Sequence, residues 1–116
     1  MNVYDKAREL VEVLKQEEVY AEFIKGQRQV FDDPEHKAML LDLRNKEFDL
    51  HRQQLMGKEV SEDHKEALRR LYEIARHNPT VGRYLDVEYR FSRMMMDIQK
   101  IINDAVPVKR PEEMKR

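Results

Sequence analysis

Two histidines each follow a carboxylate by one helical turn, in Glu47-Phe48-Asp49-Leu50-His51 and in Glu73-Ile74-Ala75-Arg76-His77. The i, i+4 spacing puts both side chains of a pair on one helical face, so each pair offers two metal ligands. Di-metal carboxylate bundles instead use Glu-x-x-His at i, i+3, with further glutamates from two other helices. Neither pair follows that rule, and both are read as surface ion pairs with no metal role. With no cysteine in the chain, disulfides, thiolate nucleophiles, zinc–cysteine sites and iron–sulfur ligation are excluded together. A phosphate-binding glycine loop is missing, and the two serines, Ser61 and Ser92, sit in no nucleophile motif. No catalytic residue and no cofactor are expected.

Arginine is the residue with the most regular spacing. Arg69, Arg76, Arg83 and Arg90 recur every seven residues, joined by Arg70 and Arg93, and only Glu73, Asp86 and Glu88 oppose them in that stretch. The arginine fork donates two hydrogen bonds at once to a phosphate, so segment 69–93 defines the alternative reading: a small RNA-binding protein. Against it stand the break at Asn78-Pro79 and the formal net charge of −1. Residues 1–65 carry 11 basic and 15 acidic side chains, residues 66–116 carry 11 and 8, and the acidic half repels the phosphates the arginines attract. A solvated basic face, or one that docks an acidic partner, is the preferred expectation.

A second pattern is apolar. Val81, Glu88, Met95 and Ile102 recur every seven residues, with Tyr84, Phe91, Ile98 and Ala105 three residues behind them. This is a coiled-coil-like seam interrupted by Glu88. A helix of about 27 residues spans ~40 Å, more than the ~30 Å of a small domain, so the seam is expected to reach a partner. Val81, Tyr84, Glu88, Phe91, Met95, Ile98 and Ile102 are the expected interface of a homodimer. If Glu88 is buried it needs an arginine or tyrosine from a facing helix, because a stranded charge costs several kcal/mol. Met94-Met95-Met96 covers about 300° of helix, so at least one of these thioethers lies at a boundary.

The elements that carry these residues are all helices. Val3, Ala7, Leu10, Val11 and Leu14 form the stripe of a first helix with one buried face, over about 3–16. The stripe shifts phase at Gln16-Glu17-Glu18 and resumes at Tyr20, Phe23, Ile24, Val30 and Phe31, which predicts a bend near residue 17. Asp33-Pro34-Glu35 is a start signal, and Met56-Gly57 ends the wide apolar arc that runs from Met39 to Leu55. Ser61 caps a fourth helix, and Asn78-Pro79 separates it from the last. Residues 1–106 are expected to form a single helical domain, an elongated hairpin or bundle of about five helices with the last one long. Pro107 and Pro111 leave 107–116 as a flexible tail.

Composition agrees with that architecture. Of 116 residues 39% are charged, only 3 are Gly and 4 Pro, and Leu, Ile, Val and Phe number 29, enough for a thin core. No apolar run approaches the ~18 residues of a membrane span, and Met1 to Asp5 lack the features of a signal peptide, so a cytoplasmic protein is expected.

In order and spacing the chain resembles the YheA-like subgroup of the bacterial YlbF/YmcA family. The matching features are Tyr4-Asp5 before the Ala7/Leu10/Leu14 helix, Tyr20-Ala21-Glu22-Phe23, the helix started by Asp33, and Met56-Gly57-Lys58-Glu59-Val60-Ser61. In the last helix, Glu88 within the seam and Ile98, Lys100, Ile101 and Ile102 also match. The resemblance covers about residues 3–106. It implies an all-helical, dimeric or hetero-oligomeric protein that is not an enzyme, acting as an adaptor or regulator. Better-studied members of the family assist ribonuclease Y in RNA maturation, so that nuclease or a family paralogue is the implied partner. The chain departs from those members in lacking the cysteines associated with their iron–sulfur clusters.

Overall fold

Four of the five helix starts are set by local side chains. The computed structural model describes residues 2–106; Met1 and the expected tail over 107–116 lie outside them. Five helices follow in order: α1 (Val3–Lys15), α2 (Glu18–Phe31), α3 (Pro34–Leu55), α4 (Glu62–His77) and α5 (Pro79–Ala105). Asn2 Oδ1 accepts from the Asp5 N–H at 2.9 Å, and Asp33 Oδ1 from the Glu35 and His36 N–H groups at 2.9 and 3.3 Å. Ser61 Oγ accepts from His64 N–H at 3.2 Å, and Asn78 Oδ1 from Thr80 and Val81 N–H at 3.0 Å each. Each such cap satisfies an otherwise orphaned donor and contributes about 1 kcal/mol. Pro34 and Pro79 occupy first-turn positions where a missing N–H costs nothing.

Two joints shape the chain. Gly57 takes a φ of +74°, and the Lys58 N–H donates to the Gln53 carbonyl at 3.0 Å, which closes the end of α3. Between α1 and α2 only Gln16 and Glu17 intervene; Glu17 is extended and makes no side-chain cap. The helix therefore bends where the apolar stripe shifts phase.

α2 lies against the first half of α5. Tyr20 meets Phe91 at the same time as Phe23 stacks on Phe91 and Tyr84, with ring centroids 6.0, 4.7 and 5.8 Å apart. Since earlier residues of α2 meet later residues of α5, the two run antiparallel. α3 and α4 form a second antiparallel pair, and α4 turns onto α5. The core is Val30, Leu40, Leu43, Ala75, Val81, Tyr84 and Leu85, drawn from every helix except α1, with Phe23, Met39, Leu68 and Leu71 packed around it.

The molecule measures 49 × 45 × 17 Å. One dimension is much the shortest, so the chain is flat and spread out, with α3 and α5 each packed against three other helices. Its radius of gyration is 18.6 Å, where about 13 Å suits a rounded domain of this length. A flat shape encloses few side chains, and only eight apolar residues among those described are buried.

Candidate interaction surface

α5 carries the seam, and the structure splits it in two. Val81 and Tyr84 are buried in the core, so the expectation that they face a partner is corrected: α2, α3 and α4 of the same chain cover them. Phe91 is half-buried beneath Tyr20 and Phe23. Glu88, also half-buried, accepts a hydrogen bond from Arg44 Nη2 of α3, and Arg44 reaches Glu47 at 3.2 Å as well. Burial lowers the pKa of Arg44, and its bond to Glu88, with the charges of Glu88 and Glu47, more than reverses that, leaving it raised. The Tyr84 phenol is pushed up to about 12, first by burial and then by the Glu88 carboxylate. Val81, Tyr84, Glu88 and Phe91 thus fix α5 against α2 and α3.

Beyond Phe91 the described residues cover the seam only in part. Met95 is 43% exposed, Ile102 48% and Ile101 69%, and Ile98 is half-buried. α1 is the other bare element. Among the described residues it packs only on α2, has no buried residue, and leaves Leu10 and Val11 at 41% and 46% exposure. The expectation that this stripe is a buried face is corrected by its exposure. The signal of its exposure was the phase shift at residues 16–18, which separates the stripe from that of α2.

A third apolar region lies between α3 and α4. A groove of about 790 Å³ runs along Glu47, Leu68, Arg69, Tyr72 and Ile74, and Phe48 and Leu55 stand exposed on the same pair of helices.

The arginines do not form one stripe. Arg69 and Arg70 both pair with Glu66, at 2.9 and 3.5 Å, and Arg76 lies over the Tyr72 ring at 5.9 Å. On α5, Arg90 is held by Glu22 at 2.7 Å and by Asp86 at 3.3 Å, and Arg93 by Asp97 at 3.3 Å. Arg83 and Arg90 line a cleft between α2 and α5 with Lys25, whereas Arg69 lines the α3–α4 groove. The Asn78-Pro79 joint therefore separates the α4 arginines from those of α5.

Of the two expected His–carboxylate ion pairs, Glu73–His77 forms on the surface, whereas Glu47 is half-buried and pairs with Arg44 rather than His51. His77 Nδ1 is 2.7 Å from the Glu73 carbonyl oxygen and 3.7 Å from its carboxylate, with both side chains exposed. Among the described residues, no three His, Cys, Asp or Glu side chains gather in a metal-binding group. No described helix is long and apolar enough to cross a membrane.

Fold and surface together define an all-α protein, flat in outline, with apolar stripes on its outer faces. The chain belongs to the YlbF/YmcA family: residues 3–107 match the family described as "Control of competence regulator ComK, YlbF/YmcA". It is 34% identical over 106 residues to a UPF0342 protein of Desulfitobacterium hafniense, covering 91% of this chain and 86% of that one. A UPF0342 protein of Clostridium tetani is 35% identical over 108 residues, 93% of each chain. Among solved structures, a "Protein of Unknown Function (DUF964)" from Bacillus stearothermophilus shares the fold with a TM-score of 0.81. Its identity is 20%, over 90% of this chain and 91% of that one.

Proposed function

We propose that this chain is a non-enzymatic adaptor or regulator that acts as a homodimer and presents a helical face to a protein partner. The observation that carries this reading is the apolar surface left bare on distal α5 and on α1, in a chain whose charged groups mostly neutralise one another in pairs. Exposed apolar stripes of this length mark association sites. Met95, Ile98 and Ile102 are the proposed contact residues, and Val81, Tyr84, Glu88 and Phe91 hold α5 in place behind them. Membership of a family described by control of a regulator supports the regulatory part of the reading.

By resemblance to better-studied family members, the partner is ribonuclease Y or a family paralogue, and the setting is the cytoplasm. Tagged protein expressed in its native host at its own level should co-purify one of these two, and Ile98→Asp should lose it. Repeated capture that recovers neither removes the ribonuclease Y pathway. A chain that sediments as a 14.1 kDa monomer at tens of micromolar removes the homodimer.

A further inference from the structure

The two largely exposed stripes of this chain match each other. On α1, Val3, Ala7, Leu10 and Leu14 advance by four, three and four residues; on α5, Met95, Ile98, Ile102 and Ala105 advance by three, four and three. Alternating three- and four-residue steps are those of helices packed knobs into holes. Each row is about 15–17 Å long at 1.5 Å per residue. The α5 row also continues, without a break in register, the row that α2 covers through Phe91 and Tyr84.

α1 cannot cover the α5 row of its own chain. As folded, it bends away at Gln16-Glu17 and touches only α2. If the joint straightened and α1 prolonged α2 along α5, its stripe would still point wrongly. At 100° per residue, the stripe of α1 lies about 140° around the helix from that of α2, so it would face away from α5. Both geometries leave the distal row without cover from α1 of its own chain.

We infer that α1 of a second copy covers the distal row of α5, and that the exchange is reciprocal. Each copy supplies one α1 and one distal α5, so a twofold pair uses both stripes twice and leaves neither over. The inference rests on the homodimer proposed above and names the contact that builds it: α1 on the partner's α5, rather than α5 on α5.

Because the chain has no cysteine, introduced thiols report this contact directly. The variants are Leu10→Cys, Ile102→Cys and the double variant, oxidised at micromolar concentration and separated without reductant. The double variant should form a covalent dimer at least about tenfold faster than either single variant. Leu10→Asp, at an exposed position outside the core, should abolish the dimer in sedimentation while leaving the circular dichroism of the remaining helices intact. Faster crosslinking by Ile102→Cys alone, in a chain that sediments as a dimer, overturns the inference and leaves the homodimer standing. So does a bridge formed inside a single 14.1 kDa chain by the double variant, or a dimer that survives Leu10→Asp. A wild-type monomer removes the homodimer and this inference with it.

Discussion

Gly82 shows how closely α4 and α5 approach. A Cβ built there would overlap the carbonyl oxygen of Arg76, a backbone atom in the last turn of α4 that cannot swing aside. Gly82→Ala should therefore destabilise the chain by about 1–3 kcal/mol, read as a lowered midpoint in thermal or urea unfolding. Tyr84 makes a pH-dependent contribution of defined sign. Its folded pKa of about 12 exceeds the ~10 of a free phenol, so folding favours the protonated ring. The stability this provides is complete below about pH 10 and is lost as pH rises toward about 12. Ultraviolet titration should show a phenol ionising near 12 that disappears in Tyr84→Phe, and the alkaline loss of stability between those limits should shrink with it. Legibility at this scale was uneven. That Glu88 needs a cationic or phenolic partner follows from its place in an apolar row. That Arg44 supplies the cation does not, because the pairing depends on how α3 crosses α5, and 44 positions of chain separate the two.

At the scale of elements the sequence was informative where structure is decided locally. Asp33-Pro34, Ser61, Asn78-Pro79 and Gly57 each act within one turn, and the helices start and stop where those residues placed them. Periodicity says less: it establishes that a face is apolar, not what covers it. The row through Val81 and Tyr84 and the row through Met95 and Ile102 look alike in sequence, yet α2, α3 and α4 bury the first and leave the second open. The arginine repeat misleads in a similar way, since a period of seven carries across a joint that the structure turns. With Arg69 on Glu66, Arg90 on Glu22 and Arg93 on Asp97, few of these cations are free to meet phosphate. Labelled RNA titrated at two salt concentrations should show no binding tighter than micromolar at physiological salt. Submicromolar binding that weakens with salt and is lost in Arg76→Glu/Arg83→Glu/Arg90→Glu would instead support the RNA-binding alternative.

For the whole molecule, thinness governs the energetics. A molecule 17 Å deep leaves many side chains near a surface, and the eight buried apolar residues among those described make a small core. Paired exposed charges add little, since such ion pairs contribute about 0–1 kcal/mol each. Apolar burial against another chain is the largest reserve left to such a molecule. α1 draws the sharpest consequence from this. A helix of 13 residues is near the length at which isolated helices are marginal in water, and α1 has one neighbour to support it. Its backbone amides should exchange with solvent through local opening that leaves α2 to α5 intact, and should slow as protein concentration rises and the segment finds its seat. Folding of the first helix and assembly of the protein then become the same event, so amide protection in the first fifteen residues serves as a direct gauge of how much of the protein is engaged.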